Sequence, residues 1–168
     1  MRKALLADDD FLVRSYLKML SSWEKAGFEI AADVRDGEEA LEILEQQEIE
    51  LVVTDIAMPL MDGIELIREI RKKYPDIYVI VLSCHDEFEY VKKAMKEGAD
   101  EYVLKSTLNE ESLYTFLKAA EENIRKKREE DSGNRRMEDE NSEIQEHLPD
   151  REKPDRTMNE KFLFFNQV

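Results

Sequence analysis

The sequence predicts an α/β fold in which a parallel sheet of five strands is covered by helices on both faces. Short apolar runs alternate with amphipathic stretches of helical spacing as far as about residue 127, which is the pattern of strand–helix–strand units. The connections between these stretches are short, as they are in such units. The chain has 168 residues, 42% of them hydrophobic, which suffices for one domain with its own core and an appendage.

The first two strands are each followed by a helical pattern. Residues 3–7 form a short apolar run that ends at three aspartates, and from residue 11 to about residue 26 the apolar side chains recur at helical spacing. Gly27 is placed to end this helix as a C-cap. The run over residues 28–34 predicts the second strand, and Asp36-Gly37 predicts the turn into the second helix.

The middle of the chain repeats this pattern. Residues 51–53 are a buried type of strand that leads to Thr54 and Asp55. A loop over residues 56–63 comes next, followed by a helix that Tyr74-Pro75-Asp76 ends. Residues 77–82 then predict the fourth strand because they are rich in β-branched side chains.

The last strand lies between two helices. Residues 87–97 have a helical pattern, and Gly98 is placed to stop that helix. Residues 102–104 predict the fifth strand, and residues 109 to about 127 predict a long final helix. Five strands alternating with five helices indicate a doubly wound sheet.

The chain changes character after about residue 128. Residues 129–155 are rich in charged residues and in Asn, Ser and Pro, with almost no apolar periodicity, so we predict a disordered linker there. The aromatic cluster Phe162–Phe165 near the end is unusual for a disordered segment. The predicted organisation is therefore a folded domain over residues 1–128 and an acidic disordered tail over residues 129–168.

Charge and cysteine content exclude several classes of function. The formal net charge is −15, from 40 acidic and 25 basic residues, and such a charge repels nucleic acid, so we expect no direct nucleic acid binding by this segment. Cys84 is the single cysteine, which rules out an internal disulfide and suits a reducing compartment. No signal peptide and no run of about 18 apolar residues is present, so we expect a cytoplasmic protein without membrane contact.

Chemically active side chains follow four of the predicted strands. They are Asp8, Asp9 and Asp10 after the first strand, Asp55 after the third, Ser83, Cys84 and His85 after the fourth, and Lys105 and Ser106 after the fifth. In this architecture ligands bind at the carboxyl ends of the strands. Clustered carboxylates suit Mg²⁺, and a lysine with a hydroxyl suits phosphoryl oxygens. An aspartate in such a site can act as a nucleophile toward phosphorus.

Four motifs in the same order resemble the receiver domains of two-component response regulators. They are Leu5-Leu6-Ala7-Asp8-Asp9-Asp10, the run from Val53 through Asp55 to Gly63, Val81-Leu82-Ser83, and Tyr102-Val103-Leu104-Lys105. The resemblance covers roughly residues 1–127. It implies a flavodoxin-like sheet with strand order 2-1-3-4-5 and a receiver domain that takes part in a phosphorelay.

The resemblance also implies the roles of the acidic residues. Asp55 matches the phosphoacceptor, which would receive a phosphoryl group from a sensor histidine kinase. Asp8 and Asp9 match the acidic pair that holds Mg²⁺ (or Mn²⁺) together with Asp55, and the main-chain carbonyl of Ala57 matches a further ligand. Asp10 is better placed to cap the first helix.

Other matched residues would respond to the phosphoryl group. Lys105 and Ser83 match residues that contact it, and Ser83 with Tyr102 matches the pair that switches the outer surface. Ser106 departs from the family, in which proline usually follows the lysine, often after a cis bond. A cis bond before serine costs about 2.5–4 kcal/mol, so we expect either a trans bond with a shifted loop or a strained cis bond, and the placement of Lys105 depends on which occurs.

Two sequence features bear on the output of the domain. Residues 58–63 with residues 83–90 are most similar to the subgroup with an AraC-type helix-turn-helix output, and residues 159–165 resemble the start of a linker to such a region. We expect control of transcription through an output domain absent here, with phosphorylation-dependent homodimerisation left open. A stand-alone receiver acting by protein–protein interaction is the alternative.

A small α/β phosphotransfer enzyme is a weaker alternative. The five glycines form neither a phosphate-binding loop nor a dinucleotide fingerprint. A phosphatase with an aspartate nucleophile would need a second aspartate two residues after Asp55, where Ala57 stands. We therefore expect a signalling domain whose chemistry is limited to its own phosphorylation and dephosphorylation.

Overall fold

The structure is a computed structural model that describes residues 1–146, with side chains through residue 144. Five strands form one sheet: β1 (Arg2–Ala7), β2 (Phe28–Val34), β3 (Leu51–Thr54), β4 (Tyr78–Ser83) and β5 (Glu101–Leu104). All pairs are parallel, and the order is β2-β1-β3-β4-β5. The predicted fold class and strand order are confirmed.

Helices connect the strands. They are α1 (Phe11–Met19), α2 (Ser22–Lys25), α3 (Gly37–Gln46), α4 (Gly63–Lys73), α5 (Phe88–Glu97) and α6 (Glu110–Glu146), with a 3-10 turn at Lys105–Thr107. Asp10, Asp36 and Asp62 cap α1, α3 and α4, each accepting a hydrogen bond from a backbone N–H of the first turn. The predicted capping role of Asp10 is confirmed. None of the helices within residues 1–146 is long and apolar enough to cross a membrane.

Successive side chains of the strands supply two separate cores, one on each face of the sheet. Leu5, Val52 and Val79 belong to the core that packs against α3, α4 and α5. Leu6, Val53 and Ile80 belong to the other, which packs against α1, α2 and α6. Burial on both faces explains why β3, β4 and the second half of β1 are continuous apolar runs. It also holds the carboxyl ends of the strands in a fixed arrangement.

The first predicted helix is broken in two. Leu20 is extended (φ −73°, ψ 129°) and ends α1, and α2 begins only at Ser22. The hydroxyls of Ser21 and Ser22 bond to the side chain and the main-chain carbonyl of Glu110, which holds the break against the start of α6. The prediction of one helix over residues 11–26 was wrong because these serines find partners outside the helix.

The predicted disordered tail is corrected over residues 129–146, which are helical as part of α6. Opposite charges recur four residues apart in this stretch, as in Asp131 with Arg135 and Arg136 with Glu140, and such spacing supports a helix without apolar contacts. The side chains of residues 126–144 are exposed. The predicted linker from residue 147 onward and the aromatic cluster Phe162–Phe165 lie outside the described residues.

Leu60 carries local strain in the loop between β3 and α4. Its φ of 64° is the one positive value at a non-glycine residue within residues 1–146, and its side chain is exposed. This conformation costs an ordinary L-residue about 1–2 kcal/mol, whereas asparagine tolerates it. We expect Leu60→Asn to raise the free energy of unfolding in urea by about 0.5–1 kcal/mol. Leu60→Ala is the control, because alanine keeps the strain; equal stability of the two variants would contradict this explanation.

Candidate functional site

The site begins with three aspartates at the ends of β1 and β3. These strands are paired in register up to Ala7 and Thr54, so the next residues, Asp8 and Asp55, lie side by side. Ligand oxygens of Asp8, Asp9 and Asp55 all lie within 4.8 Å of one another. Asp8 and Asp55 are buried (1% and 6% exposed), and Asp9 is exposed. The structure thus brings together the three carboxylates that the sequence placed at strand ends.

Lys105 supplies the opposite charge. Its Nζ lies 2.7 Å from Asp8 Oδ2 and 3.1 Å from Asp55 Oδ2. The described residues contain no cis peptide bond, so the bond between Lys105 and Ser106 is trans, and the 3-10 turn at Lys105–Thr107 follows β5 directly. The absence of proline therefore does not move the ammonium away from the carboxylates.

Burial and charge set the protonation of this group of residues. Burial raises the pKa of the Asp55 carboxyl above its ordinary value, and the nearby Lys105 only partly offsets this rise. Burial acts to lower the pKa of Lys105, but its contacts with Asp8 and Asp55 outweigh burial and raise that pKa. The ammonium therefore stays charged at neutral pH. Asp55 Oδ1 accepts a hydrogen bond of 2.7 Å from the N–H of Ile56, which fixes the orientation of the carboxylate.

Arg14 and Asp33, which no sequence pattern indicated, hold the loop that carries Asp8. Arg14 Nη1 donates to the main-chain carbonyl of Asp8 at 2.6 Å, and its Nε donates to Asp33 at 3.0 Å. Burial acts to raise the pKa of Asp33, but Lys18 and Arg14 outweigh it and lower that pKa. Arg14 lies one helical turn after Asp10, but only the fold reveals its contact with the second strand.

The predicted switch residues meet through the loop after β4. Ser83 is fully buried, and its Oγ accepts a hydrogen bond of 3.1 Å from the N–H of His85. Tyr102 is half-buried, and its hydroxyl donates to the main-chain carbonyl of His85 at 2.6 Å. Burial raises the pKa of the Tyr102 hydroxyl; Ser83 opposes this rise, and nearby acidic residues add to it. In the part of the chain that the structure describes, Ser83 bonds to this loop and not to Asp55.

The loop after Asp55 is folded back tightly. Ala57 is exposed in this loop. The role of its main-chain carbonyl as a metal ligand stays a prediction. The N–H of Gly63 donates to the carbonyl of Ile56 at 2.8 Å. A Cβ at Gly63 would lie 2.0 Å from the carbonyl oxygen of Asp55. Because Gly63 has no side chain, the start of α4 can pack directly against the main chain of Asp55.

These features define a doubly wound α/β domain with three clustered aspartates at the carboxyl ends of its strands, two of them buried and in contact with a lysine. The family model of the response regulator receiver domain matches residues 4–118. The chain therefore belongs to this family, the receiver domains of two-component response regulators. As a receiver it is a signalling domain, and its relatives include regulators of transcription.

Individual relatives agree with the family match. The chain is 38% identical over 117 residues to the uncharacterized transcriptional regulatory protein YesN of Bacillus subtilis strain 168, covering 70% of this chain and 32% of YesN. It is 40% identical over 101 residues to the transcriptional regulatory protein DegU of Brevibacillus brevis, covering 60% of this chain and 42% of DegU. The chain spans about a third to two fifths of the length of these curated relatives.

A solved structure agrees in fold. The receiver domain of AraT, a response regulator from Geobacillus stearothermophilus, superposes with a TM-score of 0.70 at 31% identity and covers 76% of this chain and 98% of that chain. A DNA-binding response regulator of the LuxR family from Staphylococcus aureus gives a TM-score of 0.64 at 34% identity, covering 71% of this chain and 99% of that one. The first of these structures is a receiver domain alone, and the match covers nearly all of it.

Proposed function

We propose that Asp55 is the residue that accepts the phosphoryl group, with a phosphohistidine of a sensor kinase as donor. The observation that carries this proposal is the position of its carboxylate, buried and held between Lys105 Nζ and the N–H of Ile56. In the reaction a carboxylate oxygen forms a bond to phosphorus as the bond from phosphorus to the donor nitrogen breaks. The electron pair stays on the imidazole, which takes up a proton, and Asp55 becomes an acyl phosphate.

Lys105 supports this chemistry by its charge. Phosphoryl transfer requires mainly positioning and neutralisation of the phosphoryl oxygens. The ammonium lies against both buried carboxylates and, with its raised pKa, remains a cation at neutral pH. We infer that it contacts the phosphoryl group once that group is bound to Asp55.

The acidic cluster fits a divalent cation. Three carboxylates with oxygens this close suit Mg²⁺, or Mn²⁺, which prefers oxygen ligands and is bound through one or two carboxylates plus phosphate. Asp8, Asp9 and Asp55 would hold the ion, with the main-chain carbonyl of Ala57 as a further ligand. When bound, such an ion neutralises part of the negative charge of the phosphoryl group.

We infer that phosphorylation changes the outer surface through Ser83 and Tyr102. Both already bond to the backbone of His85, so a movement of the Ser83 hydroxyl toward a phosphoryl group would alter this connection. The relatives named as transcriptional regulators favour an output that controls transcription, by a region beyond this receiver or by phosphorylation-dependent pairing of two copies. A receiver that acts alone through protein–protein contacts is the second candidate.

Intact-mass measurement after incubation with acetyl phosphate and Mg²⁺ tests the role of Asp55. We expect wild type to gain one phosphoryl mass and Asp55→Asn to gain none, because the amide cannot form the acyl phosphate. Asp76→Asn is the matched control, since Asp76 is exposed in the turn before β4, and it should be labelled like wild type. Equal labelling of wild type and Asp55→Asn would refute the assignment.

A further inference from the structure

His85 is the residue that links the two switch side chains. Its N–H donates to Ser83 Oγ at 3.1 Å, and its carbonyl accepts from the hydroxyl of Tyr102 at 2.6 Å. Both bonds use backbone atoms, so the side chain is free for another contact. The position of one peptide segment therefore sets the environment of both Ser83 and Tyr102.

The imidazole of His85 connects this segment to α5. It stacks on the ring of Tyr90, with ring centroids 4.8 Å apart and an interplanar angle of 28°. Its Nδ1 lies 3.5 Å from the carboxylate of Glu87, which is exposed. Tyr90 is 40% exposed and Phe88 72% exposed, so the stack reaches the solvent-facing surface of the helix.

The start of α5, like that of the short helix α2, has no side-chain capping hydrogen bond. Glu87 stands at its N-cap and makes no side-chain capping hydrogen bond. Aspartates cap α1, α3 and α4, and Asn109 accepts from the N–H of Ser112 at the start of α6. Stacked aromatic rings have a preferred geometry and contribute attraction beyond the area that they bury. The stack of His85 on Tyr90 therefore takes the place of a cap in tying the loop to the helix.

We propose that His85 is a positioning residue that couples the Ser83 and Tyr102 pair to the outer face of α5 through its stack on Tyr90. When Ser83 rearranges, the backbone of His85 moves with it, and the stacked ring carries that movement to Tyr90 and the first turn of α5. This inference rests on the proposed phosphorylation of Asp55. It assigns a role to the His85 side chain, which the phosphoryl chemistry itself does not use.

Hydrogen exchange over residues 88–97, measured before and after labelling with acetyl phosphate and Mg²⁺, tests the coupling. We expect labelling of wild type to change the exchange rates in α5 several-fold. His85→Ala should lose at least half of that change while Asp55 is labelled to the same extent, because the ring is gone and the backbone bonds remain. Cys84→Ala, at the exposed neighbouring position, should behave like wild type.

Two further variants separate the stack from other roles. His85→Phe keeps an aromatic ring but removes the contact with Glu87, and it should retain the wild-type response. Tyr90→Leu removes the stack from the other side and should match His85→Ala. A full response in His85→Ala, or a loss in His85→Phe equal to that in His85→Ala, would overturn the inference.

The mass measurement on the same samples distinguishes the two proposals. If wild type is labelled at Asp55 but exchange in α5 does not change, the coupling fails and the phosphoacceptor role stands. If wild type is not labelled at Asp55, the proposed function fails and the inference that rests on it fails with it.

Discussion

Gly63→Ala is expected to lower the free energy of unfolding by about 3 kcal/mol or more, because it forces overpacking against main-chain atoms. An added Cβ would lie 2.0 Å from the carbonyl oxygen of Asp55 and 2.9 Å from Cα of Ile56. These are backbone atoms next to a strand in the centre of the sheet, so neither can turn aside as a flexible side chain would. Either the start of α4 or the end of β3 must shift.

Urea unfolding measured by circular dichroism checks this prediction. Gly133→Ala is the control: apart from the neighbouring backbone of its own helix, no atom lies within 4 Å of its Cβ position, and alanine in place of a helical glycine is neutral or stabilising by up to about 1 kcal/mol. Labelling of Asp55 should also fall in Gly63→Ala, since the clash displaces the residue that is labelled. If Gly63→Ala were as stable as wild type, the loop would accommodate the added Cβ at little cost, and the prediction would be wrong.

Lys105→Met should abolish labelling by acetyl phosphate and lower the free energy of unfolding at pH 7.5 by about 3 kcal/mol, since removing one partner of a buried ion pair leaves uncompensated charge. Two buried carboxylates, Asp8 and Asp55, would lose the ammonium at 2.7 and 3.1 Å. Methionine is a suitable replacement because it keeps much of the length and apolar character of the lysine stem.

The loss should depend on pH in a defined direction. Burial already raises the pKa of the Asp55 carboxyl, and Lys105 restrains the rise. A carboxyl with a raised pKa in the folded state favours folding at low pH, and this contribution disappears as the pH rises through that pKa. Without Lys105 the pKa rises further, so Lys105→Met should be closer to wild type in stability at pH 4.5 than at pH 7.5.

Denaturant unfolding at the two pH values provides the measurement, with Lys118→Met at an exposed position of α6 as the control. Adding Asp55→Asn to Lys105→Met should recover part of the stability, because it removes one of the two unpaired carboxylates. A loss of the same size at both pH values would mean that packing of the lysine stem, and not its charge, explains the effect.

The sequence was sufficient to predict the sheet and most of the residues that lie at the carboxyl ends of its strands. Parallel strands align their carboxyl ends, so Asp8, Asp55 and Lys105 could be placed near one another from strand assignments alone. The register of β1 with β3 places Asp8 beside Asp55. Lys105 follows β5, which pairs with neither of these strands, so its contacts within 3.1 Å also need the length of its side chain. The same reasoning could not decide whether the peptide bond before Ser106 is cis or trans, because the cost of a cis bond depends on the surrounding loop.

Features that depend on contacts between distant segments could not be predicted from the sequence. The break between α1 and α2 is held by Glu110, some 88 residues away from Ser22. Arg14 in α1 reaches Asp33 in β2, and the sequence pattern of neither element indicates this contact. The helix over residues 129–146 was missed for another reason: its polar pattern, without apolar periodicity, resembles that of a disordered chain although its charges are spaced for a helix.

The absence of a side-chain cap on α5 affects the balance between alternative positions of this helix. A cap contributes about 1 kcal/mol, and a helix that must break its cap in order to shift loses that amount in the shifted state. Within the described residues α1, α3 and α4 carry this cost and α5 does not. At room temperature 1 kcal/mol corresponds to roughly a fivefold change in population. A shift of α5 therefore breaks no side-chain cap, whereas a shift of α1, α3 or α4 does, and the hold on the start of α5 is left to the stack of His85 on Tyr90.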